Sequence, residues 1–317
     1  MEMTSDVIEE KDLILKSLGG FNLYLDRKDP GISETLRKPK YFRKWHREPE
    51  FMDLIEAEVN KGDSAFDLGA NIGYVTMHLA HYVGEGGKVY AVEPSPRNFS
   101  ILKKTIEVNK IGHIVEAQQL AISSKTGTRE LNISKESNLN SFAKTKHTTK
   151  TIEVKTTSID DFFKDRRFPN FIKMDIEGAE VDALAGIDKI LAASDAPIKI
   201  LMEIHPMYYK EDDFSKQLIR LFDKGFSTKY LVSAGSARPP YFSSKGYVPI
   251  KTYQTGDWGR GLYENVLNEH VIESCSKLFD DNEVRLPIAS LIKNPMRLKA
   301  RTLLSPKIVR AILLERK

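Results

Sequence analysis

The chain of 317 residues holds a single cysteine, Cys275. One thiol forms no internal disulfide and supports no cysteine-clustered zinc site, a usage that fits a reducing cytoplasm. No run of roughly 18 uninterrupted apolar residues occurs, so no membrane-spanning helix is expected. The N-terminal MEMTSDVIEEKDLILKSLGG places acids where a secretory signal needs a basic region and then an apolar run, which argues against that route. Internal repeats are absent too. What remains, 41% apolar and 29% charged residues, is the composition of a globular chain long enough to bury a full core.

The net charge of +4 is unevenly spread. From Val284 to Lys317 there are nine Lys/Arg and one acid, a net of +8, so the preceding residues carry 4 − 8 = −4. This basic extension mixes Leu and Ile with Lys and Arg at roughly helical spacing, cut by three prolines. It is expected to be helical, and to lie on an anionic membrane surface or an acidic partner, or to pack on the body or in an oligomer contact. A second basic run, RKPKYFRKWHR (Arg37–Arg47), is interleaved with aromatics and reads as a solvated helical face, with nucleic-acid contact as the alternative.

Between these lie alternating strands and helices. Ser64–Leu68, Lys88–Pro94, Ile114–Ser123, Pro169–Gly178 and Lys199–Pro206 read as strands, with helices between most of them. Thr128–Ser134 and Thr151–Phe163 read as a strand pair around a mobile polar loop, and Ser227–Ser233 with Gly261–His270 as the closing pair. Such alternation implies an α/β, doubly wound, mostly parallel sheet. The expected organisation is a helical or irregular lead-in over 1–50, a central domain over 51–270 and the basic extension over 271–317.

The stretch FDLGANIGYVTMHLA (Phe66–Ala80) is strand, glycine turn, helix, yet it is not the dinucleotide pattern GxGxxG. Asp67 ends the strand and sets a carboxylate at the mouth of the turn, an unfavourable neighbour for a pyrophosphate and a favourable one for a cation. Gly69 and Gly73 let backbone approach a ligand closely. Glu93, twenty residues beyond Gly73, ends the next strand, where an acid accepts hydrogen bonds from ribose hydroxyls. A cationic nucleoside cofactor satisfies both, and S-adenosylmethionine carries a sulfonium and an ammonium group.

DLGANIG, VYAVEPSPRNFSILKKTIEVN, IKMDIEGAEVDALAG and LMEIHP, in that order, resemble the successive blocks of the FkbM-type methyltransferase family, a branch of the class I adenosylmethionine-dependent enzymes. The resemblance spans about Phe51 to Leu267, two-thirds of the chain. It implies a seven-stranded Rossmann-like sheet and O-methylation of a hydroxyl on a sugar, glycan or related small metabolite. It places Asp67, Gly69, Asn71 and Gly73 at the methionine end of the cofactor, Glu93 on the ribose, and Ala121 with Ile122 beside the adenine. Thr105 departs from the asparagine common in the family; it is mid-helix.

Removal of an acceptor's proton needs a base or a metal. Asp175, at the end of a central strand beside the cofactor crevice, is a candidate both for cofactor binding and for catalysis. Glu177, and Glu180 three residues on, would share a helical face, and acids there also cap free N–H groups. Lys173 reads as a partner of Asp175 or a substrate contact. Glu203 and His205 end the next strand on the same rim as further base candidates, and with Asp175 and Glu177 they admit a divalent metal that the pattern does not require. Trp258 and Arg260 suit stacking on a sugar or planar ligand. The competing readings are an RNA methyltransferase, disfavoured by the acidic block at Asp175–Glu177, and a non-catalytic scaffold on the same fold. The expected location is cytoplasmic, with peripheral attachment at a membrane through the tail.

Overall fold

The computed structural model describes residues 8–38, 47–193, 197–234, 241–255, 258–278 and 307–317. Two antiparallel strands, β1 (Leu13–Leu18) and β2 (Phe21–Asp26), open the chain, followed by α1 (Ile32–Arg37) and α2 (Pro49–Glu58). The motif-bearing half then runs β3 (Ser64–Leu68), α3 (Tyr74–Val83), β4 (Lys88–Val92), α4 (Pro96–Val108) and β5 (Val115–Gln118). Proline at the first turn of α2 and α4 fits positions that lack an intrahelical partner for N–H, and Ser95 accepts from Asn98 N to cap α4. A small sheet follows, built from β6 (Ala121–Ile122), β7 (Gly127–Ser134) and β8 (Thr148–Thr157), and after it α5 (Ile159–Phe162). The second half comprises β9 (Phe171–Met174), α6 (Glu180–Ala185), α7 (Asp188–Ala193), β10 (Ile198–Glu203), α8 (Glu211–Asp223) and β11 (Ser227–Ser233). It closes with α9 (Tyr241–Ser244), β12 (Lys251–Thr255), β13 (Trp258–Tyr263), α10 (Asn268–Ser276) and β14 (Val309–Arg316).

The main sheet has nine strands in the order β12-β13-β11-β14-β10-β9-β3-β4-β5. The five strands from β10 to β5 are parallel, and β14 enters antiparallel between β10 and β11. Period-two side chains divide the core between the two faces of this sheet. Ala65, Val89, Ala91, Phe171, Leu201, Ala311 and Leu313 join one cluster, which α2, α3, α4 and the N-terminal hairpin cover. Their strand neighbours Phe66, Tyr90, Val92, Ile172, Ile200, Met202, Ile312 and Leu314 join the other, under α5 to α8 and α10. Burial on both faces is the signature of a doubly wound α/β sheet, in agreement with the expected fold class. The sheet has nine strands where the resemblance implies seven, and four of its pairings are antiparallel against four parallel.

Four local expectations are corrected. The lead-in is a β-hairpin and one short helix: Asn22 exchanges hydrogen bonds with the Asn109 side chain, and Tyr24 N donates to Thr105 Oγ1, docking it on α4. Ile114–Ser123 is two strands in different sheets, parted near Leu120. Gly261–His270 is strand only to Tyr263, turning helical from Asn268. The extension is not a helical appendage throughout, because its last residues form β14, with Ala311 to Leu314 fully buried. β14 stands between β10 and β11, and the β12–β13 hairpin lengthens the sheet beyond β11. Residues 39–46 of the first basic run and residues 284–306 of the extension lie outside the described residues.

Leu314→Ala is expected to lower the free energy of unfolding by about 2–5 kcal/mol, against about 0.5 kcal/mol or less for Ile219→Ala on the exposed side of α8. Urea denaturation of the full chain checks both.

Candidate active site

The parallel strands deliver their C-terminal ends to one rim, and β14, running the other way, brings its beginning to the same place. A cavity of about 430 Å³ lies there. Gly69 N and Ala70 N donate to Val92 O at 3.1 and 3.0 Å, folding the turn after β3 against the end of β4. Gly69 has φ +77°, and a Cβ there would stand 2.1 Å from the Asp175 carbonyl oxygen, so only glycine fits. Asn71 takes the left-handed conformation (φ 51°) that asparagine tolerates; its Oδ1 accepts from Ile72 N at 2.8 Å. Gly73 opens α3 at φ +96° but does not line the cavity, whereas Gly69 and Asn71 do.

Glu93 lines the cavity together with Ala121 and Ile122, bringing three of the expected cofactor residues to one wall. Its Oε2 accepts from Asn71 N at 2.9 Å and its Oε1 from Ser95 N at 2.9 Å. Burial nevertheless dominates and pushes this carboxyl up to about 7, against the pull of those donors.

Asp67 is placed differently from expectation. It is fully buried and absent from the cavity wall, its Oδ2 accepting from Thr76 Oγ1 at 2.6 Å and its Oδ1 lying 3.0 Å from Lys173 Nζ. Lys173 also donates to Leu68 O and Gly69 O at 3.2 and 3.0 Å. Its ion-pair partner is therefore Asp67 and not Asp175. Burial works against the ammonium charge, but Asp67 and Asp175 together hold Lys173 above its ordinary range. Lys173 lines the cavity, and with its protons so committed it holds the turn in place.

The acids and the histidine do converge. Glu177 and Gly178 are successive left-handed residues (φ 48° and 100°), and this sharp turn swings Glu177 back over the rim. His205 Nδ1 meets Glu180 Oε1 at 2.9 Å, which aims Nε2 at Glu203 (3.1 Å), Glu177 (3.6 Å) and Asp175 (3.9 Å). Burial lowers the histidine's proton affinity, but Glu177, Glu180 and Glu203 together raise it well above the ordinary range. Burial pushes the Glu177 carboxyl up to about 8. Glu203 is buried as well, yet Arg310 and Lys307 hold it well below the usual carboxylate range. Asp175 is raised by burial and by Glu203, and its side chain retains 30% exposure into the cavity.

Several wall residues carry no local signal in the sequence: Arg47 and Glu48, Lys307 and Arg310, and Ser137–Ser141. The last belong to the loop expected to be mobile. In the fold Ser137 donates from N and Oγ to the Asp29 carboxylate, both at 3.0 Å, and its carbonyl accepts from Asn71 and Asn98. Arg260 lines the cavity, paired with the buried Glu50, while Trp258 carries no described side chain.

A model of the methyltransferase FkbM domain matches residues 67–228, just over half of the chain. The chain belongs to the FkbM methyltransferase family. The matched region includes Asp67, the rim acids from Glu93 to Glu203, and His205, but not Lys307 or Arg310. Among curated relatives, the 31-O-demethyl-FK506 methyltransferase FkbM of Streptomyces tacrolimicus is 36% identical over 74 residues, 23% of this chain and 27% of that protein. Methyltransferase 1 of Beauveria bassiana (strain ARSEF 2860) is 25% identical over 144 residues, 38% of this chain and 57% of its own length. The chain thus matches only part of each relative. The crystal structure of a methyltransferase FkbM from Methylobacillus flagellatus KT is 16% identical, with 72% of this chain and 50% of that chain covered and a TM-score of 0.44.

The Glu93 environment predicts a pH dependence. A folded-state value of about 7 exceeds the ordinary 4.5, so the folded chain binds more protons than the unfolded one between those values. The corresponding stability is full below about pH 4.5 and is lost as pH rises through about 7, a change on the order of 3 kcal/mol. Glu177 and His205 shift in the same sense. Thermal unfolding of wild type is expected to weaken over this window, and Glu93→Gln to flatten part of the slope.

Proposed function

We propose that this FkbM-family chain is an S-adenosylmethionine-dependent O-methyltransferase acting on a hydroxyl of a sugar, glycan or related small metabolite. One observation carries the reading: the cavity joins the Glu93–Ala121–Ile122 wall to the Asp175–His205 group through the Gly69–Asn71 turn. The residues suit the cofactor. Glu93 offers a buried carboxylate for ribose hydroxyls, Ala121 and Ile122 an apolar wall for a base, and Gly69 a backbone edge free of side chain. Asp67, turned inward on Lys173, leaves Asp175 and the turn's backbone to face the cationic end.

When bound, the cofactor supplies an electrophilic methyl group. The chain's own residues handle the proton. His205 holds its charge among the carboxylates and so is a poor acceptor at neutral pH, and Glu203 is neutralised by Lys307 and Arg310. Asp175 is the base with access to the cavity. His205, fixed by Glu180, sits where it stabilises Asp175 and Glu177, and alignment of the acceptor supplies much of the remaining rate.

A divalent metal is the second reading. Asp175, Glu203 and His205 each offer a donor atom within 4.8 Å of the others, and Glu180 orients the imidazole as outer partners of metal ligands do. The first reading is favoured because Glu203 Oε1 already accepts from Lys307 and Arg310. Methyl transfer surviving dialysis against EDTA supports it, whereas loss restored by added Mg²⁺ or Mn²⁺ supports the metal.

Calorimetry with adenosylhomocysteine is expected to give binding weakened roughly 10–100-fold by Glu93→Ala, the loss of hydrogen bonds to a charged group. No binding to wild type overturns the cofactor assignment. Asp175→Asn is expected to lower single-turnover methyl transfer by about 10²–10⁴-fold, well beyond its effect on adenosylhomocysteine affinity.

A further inference from the structure

We propose that the methyl acceptor carries an anionic group, a carboxylate or a phosphate or sulfate ester, held by Arg47, Lys307 and Arg310. The inference rests on the methyltransferase reading above and names the acceptor's chemistry. All three side chains line the cavity and are largely withdrawn from solvent, with exposures of 23%, 8% and 14%. Two single carboxylate oxygens link them. Glu48 Oε1 lies 3.3 Å from Arg47 Nη2 as an ion pair and accepts from Arg310 Nη2 at 2.6 Å. Glu203 Oε1 accepts from Arg310 Nη1 and from Lys307 Nζ at 3.0 Å.

The charges along this chain run cation, acid, cation, acid, cation. Three cations thus converge on two single carboxylate oxygens, more donors than those acceptors take up. The neighbouring Arg260 does not change the balance, since Glu50 pairs with it. Asp175, Glu177 and Glu180 are grouped around His205, and the first two act on these cations only at longer range, without a direct ion pair among the described residues. Arg310 Nε is buried with no hydrogen-bond partner among the described residues. A buried donor without an acceptor is unfavourable until one is supplied, and guanidinium groups match the flat geometry of carboxylates and phosphates.

Strand order says which end of the cavity this is. β14 stands two places from β9 and four from β4. At about 4.8 Å per strand, its start is about 10 Å from the end of β9 and about 19 Å from that of β4. Lys307 and Arg310 therefore lie beyond Asp175, on the side away from Glu93. The Arg47 main chain sits beside α3, its backbone N–H donating to Tyr74 Oη at 3.1 Å, so the rival anion is the cofactor's own carboxylate.

Sulfate is the probe, titrated by calorimetry into the full chain saturated with adenosylhomocysteine. Saturable binding is expected, weakened roughly tenfold or more by Arg47→Gln and by Lys307→Met, with adenosylhomocysteine affinity unchanged. Circular dichroism confirms folding of each variant, and Arg47→Gln, at the more exposed end of the chain, is the milder change. Absence of saturable sulfate binding in wild type overturns the proposal. So does sulfate that competes with adenosylhomocysteine, if the variants weaken adenosylhomocysteine but spare 5′-methylthioadenosine, which lacks the carboxylate. If adenosylhomocysteine fails to bind while sulfate binds and responds to both variants, the cofactor assignment falls and the anion site stands.

Discussion

The buried pair of Asp67 and Lys173 is the constraint on which the rim depends. The two residues are register partners on adjacent strands, β3 and β9, and neither side chain is more than 2% exposed. Charges so far from water persist only when paired and hydrogen-bonded, and removing one partner of such a pair typically costs about 3–5 kcal/mol. Here the pair does more than neutralise itself. Asp67 accepts from Thr76 on α3, and Lys173 donates to the carbonyls of Leu68 and Gly69. One ion pair therefore joins two strand ends, the start of a helix and the turn between them, leaving the Gly69–Asn71 backbone stiff where a ligand would lie against it.

A second charge pattern builds outward from that frame. Parallel strands set Glu93, Asp175, Glu177, Glu203 and His205 along one edge, an arrangement that would repel itself without cations nearby. Antiparallel insertion of β14 answers this by placing Lys307 and Arg310 beside Glu203, with Ile204 N donating to Arg310 O at 3.0 Å. The result separates roles among chemically similar groups. Glu203 stays ionised and engaged, Glu177 is driven toward its neutral form, and Asp175 keeps access to the cavity. Environment, more than residue type, assigns each acid its task.

Much of this is legible in the residues. The β-α alternation, the glycine turn and the acid after β4 follow from local pattern, and each recurs in the fold. Asp67 misleads because its place at a strand end is consistent with two orientations, and sequence does not say that α3 offers it Thr76. Polarity alone makes the β7–β8 loop read as mobile, although Ser137 is pinned by Asp29, 108 positions away. Lys307 and Arg310 are hidden for a similar reason: a basic stretch after a composition break has the signature of a solvated tail. The only local hint is ILL at positions 312–314, three consecutive apolar residues suited to a strand buried on both faces.

Residue order alone is enough for the family, the doubly wound α/β class, the turn that suits a nucleoside cofactor and the set of acids on the rim. These depend on short-range spacing, which the periods of helix and strand translate directly into geometry. Three-dimensional packing had to settle which carboxylate faces the cavity, which lysine is locked away, and that a strand from the far end of the chain supplies the cations. Those outcomes depend on pairings across long sequence separations and on burial, which sets both the sign of a pKa shift and the partner a charge requires.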